Sequence, residues 1–207
     1  MKLSEFLERY PHLKPYFNVL SRFLYRPAHE IEVYSFSEAR ARGIALDERA
    51  LGVAIPPDIL MFREIPPPID VFIHELIHLC RKPDVVHEEV YAYNLINLVM
   101  FCAEREIECN PFALFTLSVD EIESVLRRYG IQFIEEYFAL LGVMPLFPDE
   151  NEEYFALLQD ARLDESHRRR LVMVFIAGLI AGIQHYPPGS LMEKILLDLI
   201  DLTAIKH

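Results

Sequence analysis

Pro66-Pro67-Pro68-Ile69-Asp70-Val71-Phe72-Ile73-His74-Glu75-Leu76-Ile77-His78-Leu79-Cys80 decides how the rest of the chain is read. Proline suits the first turn of a helix, where its missing N–H costs no hydrogen bond. The triple proline therefore announces a helix beginning near Pro68. Ile69, Phe72, Ile73, Leu76, Ile77 and Cys80 give that helix a broad apolar surface, and Arg81, Lys82 and Pro83 end it. The spacing predicts His74 and His78 mid-helix on a buried element, one turn apart on one face, with Glu75 beside them. His-Glu-x-x-His is the spacing that aims two imidazoles at one zinc ion and sets a carboxylate next to it.

A hydrolytic zinc site takes three protein ligands and keeps one position for water, whose pKa falls towards roughly 7 when it is bound. Glu75 is the expected general base, taking the water proton and passing it to the leaving amine. The candidates for the third ligand are Glu89, Glu88, Asp84 and His87. Glu89 stands eleven residues after His78 and opens Glu89-Val90-Tyr91-Ala92, whose small alanine lets two helices approach. Glu88 lies about 100° around the same helix, so the two cannot both face the same ion. Asp84 is ten residues after His74, the metzincin-type spacing, but Arg81 occupies the glycine position of that pattern and Asp84 has a helix to cap. Glu89 is ranked first, with Glu88 second and Asp84 or His87 behind.

Upstream, residues 1–26 read as helical, with Ser4 as a cap and Pro11 and Pro15 as interruptions. Residues 31–36 alternate as a strand and 37–42 form a helical turn closed by Gly43. Residues 51–55 and 59–62 are short apolar strands around Pro56-Pro57-Asp58. Downstream, Asp84 opens a helix running to about Phe101. Helices then follow at 118–128, 131–142, 151–162, 166–184 and 189–203. The expected fold class is α+β and mostly helical: a small N-terminal sheet on the His-Glu-x-x-His helix and a glutamate helix, then a C-terminal helical bundle. The expected organisation is 1–29 as an N-terminal helical segment, 30–103 as the core and 104–207 as a helical region packed on it, with one compact domain overall as the alternative.

Composition narrows the function. With 52% hydrophobic and 25% charged residues, the chain has ample core material. Its net charge of −12 repels phosphate backbones, and Arg168-Arg169-Arg170 reads as a helix face, so no nucleic-acid partner is expected. The longest apolar run, Leu171 to Ile183, is too short to span a bilayer, and no membrane association is expected. Its Gly178-x-x-x-Gly182 spacing suggests close helix packing or a homo-oligomer contact. Cys80, Cys102 and Cys109 offer no pairing pattern, and no secretory signal is read, so a cytoplasmic location is expected. Scarce Gly, Asn and Gln lean towards a thermostable protein.

His74-Glu75-Leu76-Ile77-His78 followed by a helix with Glu89-x-x-Ala92 resembles the gluzincins, zinc metallopeptidases with a glutamate as third ligand. The compact layout over residues 30–103 is similar to the minigluzincins. The resemblance implies a Zn²⁺-dependent metalloendopeptidase, a hydrolase of peptide or protein substrates. His74, His78 and Glu89 would be the metal ligands and Glu75 the catalytic base. It also implies that a strand before the active-site helix, 51–55 or 59–62, binds substrate as an added β-strand. An oxyanion-stabilising group is expected among His167, His185, Tyr91 and Tyr93. Many relatives carry Asp or Asn directly after the alanine to orient a zinc histidine; this chain carries Tyr93, then Asn94. The alternative expectation is a latent or catalytically silent zincin-like protein that binds a partner.

Overall fold

A computed structural model describes residues 1–81, 89–132, 134, 172, 175–183 and 186–204, the side chains of 89–92 and 204 excepted. The chain divides into two compact units, Met1–Glu108 and Cys109–His207. The first is α+β, and the described elements of the second are helical.

The first unit opens with α1 (Leu3–Arg9), whose buried face is Leu3, Phe6 and Leu7. The Glu5 carboxylate accepts from the Lys2 amide at 3.2 Å, so the first turn is closed earlier than a Ser4 cap requires. A 3₁₀ turn at Pro11–Leu13 leads into α2 (Lys14–Leu20), as the proline pattern predicts. β1 (Glu32–Ser35) passes directly into α3 (Phe36–Ala41). Ser35 and Glu38 form a reciprocal capping box there, and Gly43 follows at φ 79°. β2 (Gly52–Ile55) and β3 (Ile59–Phe62) complete a sheet of order β1-β3-β2.

Register gives the sheet two distinct faces. β1 runs parallel to β3 with Val33 opposite Leu60 and Tyr34 opposite Met61. β2 runs antiparallel to β3 with Gly52 opposite Phe62, Val53 opposite Met61 and Ala54 opposite Leu60. Tyr34, Met61 and Val53 therefore share one face, where they pack with Phe36, Ala39, Ile44 and Leu46. Val33, Leu60, Phe62, Gly52 and Ala54 share the other. Met1 to Leu3 pair along the outer side of β1, with Val33 N donating to Met1 O at 2.8 Å and Leu3 N to Ile31 O at 2.8 Å. No strand among the described residues pairs with the outer side of β2, so β2 is the open edge and β3 the centre.

α4 (Ile69–His78) starts after Pro68, where the triple proline predicts it. It buries Phe72, Ile73, Glu75, Leu76 and Ile77. Phe72, Phe62 and Phe6 form a three-ring cluster with centroids 6.2–6.5 Å apart, joining α4, β3 and α1. α4 also packs against β2 and against α5 (Glu89–Glu104), and α2 packs against both helices. The expectation that the helix runs on to Cys80 is corrected: His78 is its last residue. Tyr25 N donates to Leu79 O at 3.0 Å and Arg81 N to Phe23 O at 2.8 Å, with a bridge between Leu24 and Cys80. This non-local pairing outcompetes another helical turn for the same backbone groups.

In the second unit, α6 (Pro111–Leu114) is capped by Asn110. α7 (Val119–Arg127) opens on a Ser118–Glu121 capping box and is followed by Gly130 at φ 80°. The last described helix, Leu191–Ala204, packs against both. Residues 175–181 are helical, and most of their side chains are buried. Gly178 and Gly182 both lie in the described stretch 175–183. A Cβ at Gly178 would meet nothing within 4 Å among the described residues, and Gly182 leaves room for the Tyr186 ring. The sequence expectations for 135–171 fall outside the described residues. All three cysteines are buried and in no disulfide, and no described helix is long and apolar enough to cross a membrane.

Phe72 is fully buried at the junction of helix and sheet. Phe72→Ala is expected to cost about 3–5 kcal/mol of unfolding free energy, read as a lowered urea midpoint at unchanged slope.

Candidate metal centre

Helical periodicity sorts the side chains of α4. Phe72, Ile73, Leu76 and Ile77 are fixed inward, so His74 and His78, four residues apart, emerge together on the opposite side. Their Nε2 atoms are 3.1 Å apart and their ring centroids 4.8 Å apart. Two nitrogens bound to one tetrahedral zinc at about 2.0–2.1 Å lie roughly 3.3 Å from each other. The pair therefore needs almost no movement to share an ion. His74 is half-buried in the body of the helix and His78 is exposed at its end. This corrects the expectation that both sit mid-helix; the clamp on residues 79–81 cuts the helix short.

Glu75, about 100° round the helix from His74, lies against β2, and only 7% of it is exposed. Register explains what it meets. Arg63 N donates to Leu51 O and Asp58 N to Ile55 O, so the odd-numbered residues of β2 direct their backbone groups to β3. Gly52 and Ala54 direct theirs outward, along the open edge. The Ala54 backbone amide donates to the Glu75 carboxylate, which holds its pKa down somewhat. Burial acts more strongly in the opposite direction, and the carboxyl is pushed up to about 7. The Glu75 side chain lies over Gly52: a Cβ there would stand 2.6 Å from Glu75 Cγ and 2.9 Å from its Oε1.

The remaining expected residues are placed unevenly. Glu89 is the first residue of α5, the helix packed on α4, and its side chain is outside the described set. Glu88, His87 and Asp84 lie outside the described residues altogether, as do His167 and His185. Tyr91 is placed by its backbone alone, and Tyr93 is 65% exposed. Asn94, the next residue, is buried and engaged in interactions. Among the described residues no group of three or more His, Cys, Asp or Glu side chains forms a metal cluster. Of the two strands offered for peptide binding, 59–62 is excluded because β3 is paired on both sides; 51–55 carries the open edge. Sequence reading missed Gly52 and Ala54 as the neighbours of Glu75. The available signal was a glycine inside a strand pattern, which marks close approach of another group.

The raised Glu75 carboxyl has a consequence for stability in the metal-free protein. A group whose folded pKa lies above its ordinary 4.5 binds its proton more tightly folded than unfolded. Its contribution is fully present below pH 4.5 and is lost as pH rises through about 7. In chelator, Glu75→Gln is therefore expected to gain stability on the wild type across that window, by about 1–3 kcal/mol. Paired urea titrations at pH 4 and pH 8 measure it, and an unchanged difference between the two pH values contradicts the assignment. No family model, curated protein or solved structure matches this chain.

Proposed function

We propose that this chain is a zinc-dependent metallopeptidase of gluzincin type. The observation that carries the reading is the pairing of two features on one helix. His74 and His78 converge to 3.1 Å on the outer side of α4, while Glu75 between them is buried against the open edge of β2. A buried glutamate on an otherwise apolar face has no packing justification.

His74 and His78 would hold the ion, and Glu89, at the start of the adjoining helix, would complete the ligand set. Bound zinc would polarise a peptide carbonyl and acidify water. Glu75 takes the proton from the attacking water at its carboxylate and delivers it to the leaving amine nitrogen. A carboxyl pushed up to about 7 is suited to both steps near neutrality. The peptide would align along β2, where the Gly52 amide and the Gly52 and Ala54 carbonyls face outward while the Ala54 amide serves Glu75. We assign the protein to the cytoplasm, which three buried cysteines with no disulfide among them support.

A second reading, a zinc-binding zincin-like protein that no longer cuts, has one specific support. Tyr93 stands where many gluzincins carry the carboxylate or amide that orients a zinc histidine, and it is turned to solvent.

Metal content and cleavage of a diverse peptide library separate the two. The wild type and Glu75→Gln are expected to bind about one zinc each, with cleavage by the glutamine variant reduced by roughly 10²–10⁴-fold. His74→Ala, His78→Ala and Glu89→Ala are expected to lose the metal. Zinc without any cleavage leaves the silent reading standing, and absence of zinc from the wild type defeats both.

A further inference from the structure

We propose that Gly52 is the positioning residue of Glu75: the space left by its missing Cβ is the slot in which the glutamate side chain lies, beside the amide that fixes the carboxylate. The kinetic part of this proposal rests on the metallopeptidase reading; the structural part rests on geometry alone.

Gly52 is not required by the backbone. It lies in a regular antiparallel strand paired with Phe62, and it is not among the positive-φ glycines, which are Gly43, Gly130 and Gly189. In such a strand glycine is a poor choice, because it adds chain entropy and packs nothing. Its use here is spatial. Gly52 and Ala54 project on the sheet face that carries α4, and α4 packs directly on β2. A Cβ built at Gly52 falls 2.6 Å from Glu75 Cγ, 2.9 Å from Oε1 and 3.0 Å from Cδ. No ordinary carbon–carbon contact is that short, so the glutamate and an alanine cannot both keep their places. Glu75 Cγ is one bond from Cβ, and its helix is pinned by Phe72, so the side chain has little freedom to slide. It must turn about its own torsions, which takes the carboxylate away from the Ala54 amide.

Two neighbouring β2 residues thus divide one task. Gly52 supplies the volume and Ala54 the hydrogen bond. A misplacement of about 1 Å in a reacting group lowers a rate by up to roughly a hundredfold. The three atoms nearest a Cβ at Gly52 all belong to Glu75, and neither histidine is among them.

The test uses the full chain and two readouts. In activity, Gly52→Ala is expected to lower kcat by about ten- to a hundredfold, with zinc content unchanged and KM within about threefold. The second readout needs no activity. In chelator, unfolding is measured for the wild type, Gly52→Ala, Glu75→Ala and the double variant. Gly52→Ala is expected to lower the folded-to-unfolded ratio by about tenfold or more when Glu75 is present. In the Glu75→Ala background the cost is expected to vanish or reverse, because the slot is then vacant and alanine is the better strand residue. Should Gly52→Ala fail to fold, recovery of folding in the double variant is the same positive result. An equal cost in both backgrounds overturns the proposal, as does a wild-type kcat in Gly52→Ala. If wild type and Glu75→Gln prove equally inert, the metallopeptidase reading fails and the unfolding cycle still decides the role of Gly52.

Discussion

The contact of Phe72 with Phe62 is the constraint from which the geometry of the first unit follows. It fixes α4 to one face of the three-stranded sheet, and Phe6 closes the cluster from α1. Once the inward side of a ten-residue helix is set, its period leaves no choice about the rest. Leu76 follows Phe72 inward by one turn. His74 and His78 are driven outward, and Glu75 is turned onto the edge strand. The chemistry-bearing side chains are held in place by apolar packing, with the pair Phe72-Ile73 set before His74 and the pair Leu76-Ile77 between Glu75 and His78 along a single helix. Such interleaving places a site on a rigid support.

Glu75 is the point at which this arrangement works against stability. Burial against β2 removes water from a carboxylate and returns one backbone amide, and the result is a carboxyl pushed up to about 7. An apolar side chain at that position would pack without the desolvation cost. The strand opposite makes a second concession, with glycine at 52, where a larger residue would strengthen the sheet. Two local losses that meet at the same atoms are better explained by a requirement for the carboxylate there than by folding.

Much of this was legible in the sequence because the signals are local. The triple proline places the start of α4 near Pro68, and the four-residue spacing of His74 and His78 fixes their convergence. Ser118–Glu121 marks a helix start through capping chemistry contained in four residues, while the same chemistry at Ser35–Glu38 begins α3 at Phe36, inside the stretch 31–36 whose alternation reads as strand. What was not legible depends on partners far away in the chain. Strand order is one case. β3 pairs in parallel with β1, bringing Leu60 opposite Val33 across the whole of α3 and β2. No local pattern distinguishes a centre from an edge when both runs are short and apolar.

The end of α4 is the other case, and it changes what the N-terminal residues are for. Arg81, Lys82 and Pro83 announce a stop near residue 81, but the helix ends at His78 because residues 79–81 pair with 23–25. His74 is held by turns of helix on both sides. His78 has a helical turn before it and the clamp after it, so the placement of the second imidazole is borrowed from the segment that follows α2. Cys80, buried and donating to Leu76 O at 3.3 Å, anchors the same junction. The segment 1–29, read from sequence as a helical lead-in, supplies Phe6 under one end of α4 and residues 23–25 at the other. The site therefore depends on packing at both ends of its helix, and a perturbation near Leu24 reaches His78 without passing through His74.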